Sequence, residues 1–324
     1  MNIKEITKSV SEHLEEFDIY YKEQLETKVS LLNLILKYVN KKKGKRIRPL
    51  LVFLSAEISG GINRRTHIGA TMVEFLHTAT LIHDDVVDKA QERRGLASVN
   101  AEWNNKIAVL VGDFLLSQGL LQATDNDEFG FLKSTSRSVK RMSRGELMSI
   151  DQNRSFKNDE SIYYEIISDK TASLMATCCE VGAISATGDT SVHETLSNFG
   201  ENLGMAFQIR DDIFDYNSSS SLIGKPVGND IKEKKLTLPL LYALDQIEQK
   251  EADSIIKMIK KGNLNKGEIK NIVKLTHEKG GINYAEKKAG EFVDKSLSYI
   301  SDFPDSEAKD NLEKLSKFVV LRDS

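Results

Sequence analysis

The sequence predicts an all-α, single-domain bundle of roughly ten to thirteen helices with short connections, spanning residues 1–324. Three observations predict it. No proline lies between Pro49 and Pro226, so nothing in that long span forces a helix to break. Apolar residues recur there at i, i+3 and i+4, the spacing of a helix with one buried face. No stretch sustains the period-two alternation of a half-buried strand.

In chain order, the first local signal is the basic run KKKGKR at 41–46, followed by Pro49 and the apolar stretch LLVFLSAEI. Pro49 suits the first turn of a helix. Gly44 permits close backbone approach, and Lys45 and Arg48 can reach one oxyanion. The alternative for this run is a peripheral contact with an anionic membrane surface, and the two roles are compatible. Gly60-Gly61 then marks a turn. Ile68, Met72, Phe75, Ala79, Ile82 and Val86 trace the apolar face of the next helix, which ends in HDDVVDKAQERRG. Gly188-Asp189 precedes a second strongly periodic helix with Leu196, Phe199, Leu203, Ala206, Phe207 and Ile213. Gly262-Asn263 and Gly280-Gly281 separate the C-terminal helices.

Composition narrows the function. The 324 residues are 40% hydrophobic and 29% charged, ordinary for a globular protein, and the formal net charge is -3. A general nucleic-acid surface is therefore not expected, and a polyanion has to be met by local basic clusters. Cys178 and Cys179 are neighbours in a helical pattern and cannot pair with each other. That, an N-terminus without an apolar signal core, and the lack of an eighteen-residue apolar run imply a cytoplasmic protein.

The chemistry is concentrated in two echoes, DDVVD at 84–88 and DDIFD at 211–215. On a helix, positions i and i+4 share a face, so Asp84 and Asp88 point the same way with Asp85 alongside. Solvated acidic surface is the bland reading, but FLHTATLI before the first cluster is core-like. Clustered carboxylates at a partly buried place repel unless cations sit among them. Hard oxygen donors with room for water and phosphate suit Mg²⁺. In the second copy Gly204, Gln208, Asp211 and Asp215 form one polar stripe flanked by Met205, Phe207, Ile213 and Phe214. Two such helices facing one another would hold a diphosphate between metal ions. Arg93, Arg94, Lys170, Lys225 and Lys234-Lys235 supply fixed positive charge, arginine as a bidentate fork and lysine as a point charge.

The pieces GKRIRP, HTATLIHDDVVDKAQERRG, GDFLLSQG (112–119), KTASL (170–174), GMAFQIRDDIFDY (204–216) and GKPVGNDIKEKKLTLPL (224–240) together resemble the trans-type polyprenyl diphosphate synthase family. The resemblance implies an all-α, homodimeric, Mg²⁺-dependent prenyltransferase of isoprenoid biosynthesis. Such an enzyme condenses isopentenyl diphosphate head-to-tail with an allylic diphosphate and releases diphosphate. By resemblance, Asp84, Asp85, Asp88, Asp211, Asp212 and Asp215 hold the metal, three Mg²⁺ ions with substrate bound, with Mn²⁺ as a substitute. Arg93, Lys170, Lys225 and Lys235 grip the allylic diphosphate, while Gly44, Lys45, Arg48, His77 and Arg94 form the isopentenyl diphosphate site. Thr171 and Gln208 offer oxygens to the allylic cation, and Phe207 belongs to the same substrate-binding stretch. These motifs offer no obvious histidine base, so the departing diphosphate is expected to take the final proton.

Two departures touch fine geometry: Lys43 where the family commonly has a second glycine, and Lys234 where GK is usual. SRGELMSIDQ at 143–152 resembles the family's GE-containing helix but receives no role. Small residues before the first aspartate cluster, Ala79 and Thr80, leave the hydrocarbon path open. By resemblance that implies a long all-trans product, hexa- to octaprenyl-like, started from farnesyl or geranylgeranyl diphosphate. Leu76, Met72 and Val73 are candidate deeper walls. A geranylgeranyl or shorter-chain synthase, or a subunit of a heteromeric synthase, remains the alternative. A terpene cyclase would not need GKRIRP or a second complete DDxxD, a silent regulatory subunit would have lost aspartates or lysines, and a helical scaffold would release no diphosphate.

Overall fold

The computed structural model describes residues 3–41, 44, 46–155, 158–217 and 227–321. The expected Lys45 and Lys225 lie outside the described residues, as do Lys43 and the rest of residues 224–226 at the start of GKPVGND. In chain order the helices are α1 (Ile3–Ile6), a 3-10 turn, α2 (Ser11–Glu23), α3 (Ser30–Val39), α4 (Ile47–Ile58) and α5 (Arg64–Val87). After a short hairpin come α6 (Val99–Glu102), α7 (Asn105–Thr124), α8 (Phe129–Ser155), α9 (Glu160–Ile167), α10 (Ser173–Ala186) and α11 (Thr190–Phe214). The last are α12 (Asn229–Lys232), α13 (Leu238–Asp245), α14 (Gln249–Lys261), α15 (Lys266–Glu278), α16 (Gly281–Ile300) and α17 (Glu307–Leu321). Among the described residues fourteen of these have eight or more residues. The total is thirteen if α9 and α10 are taken as one, since a π-helical turn, Ser168–Ala172, joins them without a break.

The local reasons are those read from the sequence. Pro49 sits in the first turn of α4 and Pro239 in that of α13. Asn63 caps α5 through a reciprocal box with Thr66, and Asp189 caps α11 by accepting the Ser191 N–H. Gly60-Gly61, Gly188-Asp189, Gly262 and Gly280 all lie between helices. The faces expected to be apolar are buried: Ile68, Met72, Phe75, Ala79 and Ile82 on α5, and Leu196, Phe199, Leu203, Ala206 and Ile213 on α11.

α10 packs against α4, α5, α8 and α11 and is buried almost all round, so it carries small residues, Ala, Cys, Ser and Gly, rather than a polar face. Cys178 and Cys179 are free and buried within it, and burial pushes both thiols above their ordinary range. A second apolar cluster, built by α13, α14, α15 and α16 with parts of α9 and α11, adjoins the first through Phe292 and Val320. α7 is, among the described residues, the helix with the length and apolarity to cross a membrane; here it lies along α5.

One element was not anticipated. Glu92–Arg93 and Leu96–Ala97 form a two-stranded antiparallel hairpin. Its turn residues, Arg94 and Gly95, have φ of 54° and 68°. Two positive φ values define the turn whose twist matches a hairpin, and they favour glycine. The RRG sequence is therefore a turn that swings both arginines back toward the end of α5.

Candidate active site

Both aspartate clusters stand at the C-terminal ends of long helices. α5 stops at Val87 with Asp88 as its cap residue, and α11 stops at Phe214 with Asp215 in the same position. Neither helix has a basic residue in its last turn. The C-terminal end of a helix carries negative partial charge, so each carboxylate there costs about 0.3–1 kcal/mol where a cation would stabilise. Two repetitions of this unfavourable placement make sense if cations complete it. The donor set, hard carboxylate oxygens with no imidazole or thiolate among them, fits Mg²⁺.

The two clusters face a common cleft. Burial raises the Asp84 carboxyl to about 6, with Lys170 acting against the shift and Glu146 and Asp88 adding to it. Lys170, on the π turn, thus lies close enough for its charge to act on Asp84. Burial works against the Lys235 ammonium, but Glu233, Asp230 and Asp88 hold its pKa above the usual lysine value. That lysine follows α12, so it bridges the segment after the second cluster to the first. Lys170 Nζ pairs with Glu146, and Lys235 Nζ lies 2.6 Å from Glu233 Oε2; a diphosphate would draw both ammonium groups away from these carboxylates.

Within each cluster the three aspartates differ. Asp88 is exposed and Asp84 half-buried, whereas Asp85 is buried and accepts hydrogen bonds from the Arg93 guanidinium, Nε at 2.9 Å. In the second cluster Asp212 is buried, accepting from Tyr163 Oη at 2.7 Å and Gln208 Nε2 at 2.8 Å. Burial, with the neighbouring Asp230 charge, pushes its carboxyl far up from the ordinary range. Asp215 accepts the backbone N–H groups of Asn229 and Asp230, both at 2.9 Å, and so caps α12. Asp211 is half-buried and lies near Arg48.

Thr171 Oγ1 donates to Gln208 Oε1 at 2.7 Å, and Gln208 in turn donates to Asp212. This chain orients the two side chains expected to face an allylic cation. Together with Lys170, Tyr163, Asp230 and Lys235 they line one pocket. Phe207 sits one residue earlier on α11 and packs half-buried against the main core.

A second pocket, on the other side of Asp85, is lined by Gly44, Arg46, Glu74, His77, Asp85, Arg93 and Arg94. A Cβ on Gly44 would come within 2.8 Å of the Arg94 guanidinium, so a larger residue there would push that guanidinium off the loop before α4. His77 is buried, and burial together with Arg48, Arg94 and Arg93 presses its pKa well below the ordinary value. A neutral imidazole among three guanidinium groups is the electrostatic signature of an anion pocket. Arg48 Nε is buried with no hydrogen-bond partner, and burial lowers its pKa. Arg46 differs: it pairs with Asp18 at 2.9 Å and Glu74 at 2.8 Å and is a structural anchor.

The GE-containing helix finds its place here. Arg144 and Arg141 both bind Asp169 in the π turn, Glu146 binds Lys170, and a Cβ on Gly145 would come within 2.8 Å of the Lys170 backbone nitrogen. α8 therefore clamps the turn that presents Lys170 and Thr171. The sequence marked the motif without revealing the partner, and it gave no sign of Tyr163.

An apolar pocket of about 360 Å³, within the size range of ligand sites, lies on the same face of α5 as Thr80. It is lined by Leu76 and Met72 with Leu116, Gly119 and Leu120 of α7 and Val139 of α8. Leu76 and Met72 are four and eight residues back from Thr80, about 6 and 12 Å along the helix. Ala79 and Val73 are fully buried.

The sequence profile described as Polyprenyl synthetase matches residues 29–276. The chain is 34% identical over 320 residues to the all-trans-nonaprenyl-diphosphate synthase (geranyl-diphosphate specific) of Rhodobacter capsulatus, covering 98% of each. It is 32% identical to the octaprenyl diphosphate synthase of Escherichia coli K12, covering 100% of each. Its fold superposes with a TM-score of 0.93 on a polyprenyl synthase from Caulobacter crescentus CB15 solved with calcium and isoprenyl diphosphate. That pair is 30% identical, covering 100% of this chain and 98% of the other. With the profile matching residues 29–276 and relatives aligned along nearly their whole length, this chain belongs to the polyprenyl synthetase family.

Proposed function

We propose that the chain is a Mg²⁺-dependent prenyltransferase that condenses isopentenyl diphosphate head-to-tail with an allylic diphosphate, farnesyl or geranylgeranyl, to give a long-chain all-trans polyprenyl diphosphate. The observation that carries this is the facing of two aspartate-ended helices across one cleft, with the charge of Lys170 acting on Asp84 and that of Lys235 felt by Asp88. Asp84, Asp88 and Asp211 would hold Mg²⁺ there, with Mn²⁺ as substitute, and the ion would supply neutralisation of the charge that develops on the leaving diphosphate.

The chain's own groups do the rest. Lys170, Lys235 and, by sequence, Lys225 grip the allylic diphosphate. Thr171, its proton given to Gln208, turns oxygen lone pairs toward the allylic carbons and stabilises positive charge without a mobile base. Arg94, Arg48 and His77, with Lys45 by sequence, hold isopentenyl diphosphate in the other pocket so that its alkene meets the cation. The proton lost at the end goes to the departing diphosphate, the nearest base these residues gather.

The open apolar pocket beneath Thr80, and the octaprenyl and nonaprenyl products in the names of the relatives, support a long product. Exposed Val109, Leu110, Leu120 and Leu121 on α7 support a homodimer that covers them. The buried free cysteines support a reducing, cytoplasmic setting. The basic run after α3 supports a peripheral membrane contact for release of a greasy product.

The test is incubation of purified protein with Mg²⁺, isopentenyl diphosphate and farnesyl diphosphate, followed by sizing of the prenyl chains. A discrete product longer than C20 is expected. Failure to release diphosphate with geranyl, farnesyl and geranylgeranyl primers alike would overturn the reading.

A further inference from the structure

The end of α5 far from the aspartates carries a different set of donors. His67 is 17 residues before Asp84, about 25 Å along the helix axis. Its Nε2 lies 3.3 Å from Glu16 Oε2 of α2, and His13 Nδ1 lies 3.4 Å from the same oxygen. All three donor atoms are within 4.8 Å of one another.

The tautomer of His67 is set by its other nitrogen. Nδ1 is 3.1 Å from the Asn63 carbonyl. A carbonyl only accepts, so Nδ1 carries a proton. In a neutral ring this leaves Nε2 without a proton 3.3 Å from a carboxylate oxygen, and Nε2 is buried with no hydrogen-bond partner. Two acceptors at that distance repel unless a cation lies between them. A tetrahedral zinc ion with bonds of ~2.0–2.1 Å separates its ligand atoms by roughly 3.3–3.4 Å, which agrees with both measured separations. The rings are also held in place, because Phe53 lies 5.0 Å from His67 and 6.1 Å from His13 between centroids.

We propose that His13, Glu16 and His67 form a second, non-catalytic metal site for a borderline divalent cation of the Zn²⁺ class, with its remaining position open to water in the adjoining pocket. Two imidazoles and one carboxylate favour such an ion over Mg²⁺, which prefers oxygen. The Asn63 carbonyl is the outer partner that orients a ligating histidine. Arg64 lines the same pocket, so coordination by the imidazole nitrogens rather than net charge supplies the affinity. The bound ion ties α2 to the start of α5 and is chemically separate from the all-oxygen clusters at the other end.

Cobalt(II) is the direct probe, because a low-coordinate site with nitrogen ligands absorbs in the visible. Full-length protein titrated with Co²⁺ in a large excess of Mg²⁺ should show one equivalent of such absorption per chain, removed by Zn²⁺. Zn²⁺ should raise Tm by several degrees under the same conditions. Both effects should vanish in His67→Ala and in His13→Ala while Mg²⁺-dependent prenyl transfer stays within twofold of the parent. His13 is half exposed, so its variant serves even if the His67 variant folds poorly. Absorption that persists in both variants, that Mg²⁺ abolishes in the parent, or that never develops would overturn the proposal; in the last case a proton, not a metal, fills the gap between His67 and Glu16.

Discussion

DDVVD and DDIFD have the same pattern and end two long helices in the same way, yet the structure uses them differently. In the first, Asp85 is held by hydrogen bonds from Arg93, while Asp84 and Asp88 remain on the cleft side, where the charges of Lys170 and Lys235 act on them. In the second, Asp212 is enclosed by Tyr163 and Gln208, and Asp215 caps α12. The i, i+4 spacing fixes which carboxylates share a face. What each carboxylate does is decided by what the rest of the chain brings to that face. The first cluster is predominantly a charge store; the second is half scaffold.

That contrast breaks most sharply on Asp84. Asp84→Ala should lower kcat by at least ~10²–10³, the loss that follows removal of one preorganised charge contact in a reacting site. Near-normal turnover would show that the first cluster holds no metal. Asp84→Asn should nonetheless raise the metal-free Tm, because it removes a charge from a buried position at the negative end of α5. Asp215→Ala should do the opposite, lowering Tm through loss of the α12 cap, worth about 1 kcal/mol. Equal signs for the two variants in differential scanning fluorimetry would erase the distinction.

A weaker lever is pH. The folded Asp84 carboxyl, at about 6, titrates above its unfolded value of 3.8. Raised carboxylate affinity for protons means a penalty that is fully present above the folded pKa and disappears as pH falls through it. Metal-free protein should therefore gain Tm between pH 8 and pH 5.5 relative to Asp84→Asn, and stabilisation by Mg²⁺ should shrink over the same interval. A pH-independent difference between the two proteins would contradict the burial of Asp84. Smallest of all should be Asp212→Asn. Its environment already favours the protonated, uncharged form, so kcat is expected to fall about tenfold or less. A loss as large as that of Asp84→Ala would make the two clusters equivalent after all.

The apolar pocket gives an independent measure. Leu76→Tyr should fill its α5 wall and shorten the product by one or more isoprene units, and unchanged chain length on chromatography would separate that pocket from the product path.

Much of this arrangement was legible in the sequence, for physical reasons. Periodic burial on α5 and α11, turn glycines, and carboxylates at i and i+4 are local properties. The hairpin was not legible, since two-residue strands are too short to alternate, although Gly95 after two arginines fits the positive φ it adopts. The π turn has no composition of its own and is held from outside by Arg141, Arg144 and Gly145. Tyr163 reaches Asp212 across 49 residues, and His13 meets His67 between two helices; neither pairing leaves a trace in local spacing. Lys45 and Lys225 lie outside the described residues, so for them the sequence argument stands alone.

The Asp85–Arg93 pair makes the two pockets thermodynamically interdependent. Arg93 forms part of the wall of the histidine pocket while being bound to a carboxylate of the first aspartate cluster. Any cation that draws on Asp85 loosens Arg93 toward the neighbouring anion. By reciprocity of linked equilibria, whatever factor the cation adds to anion affinity, the anion returns to cation affinity. The order in which the ligands arrive then alters the path of assembly but not its total free energy, and a single arginine sets how strongly one half of the site senses the other.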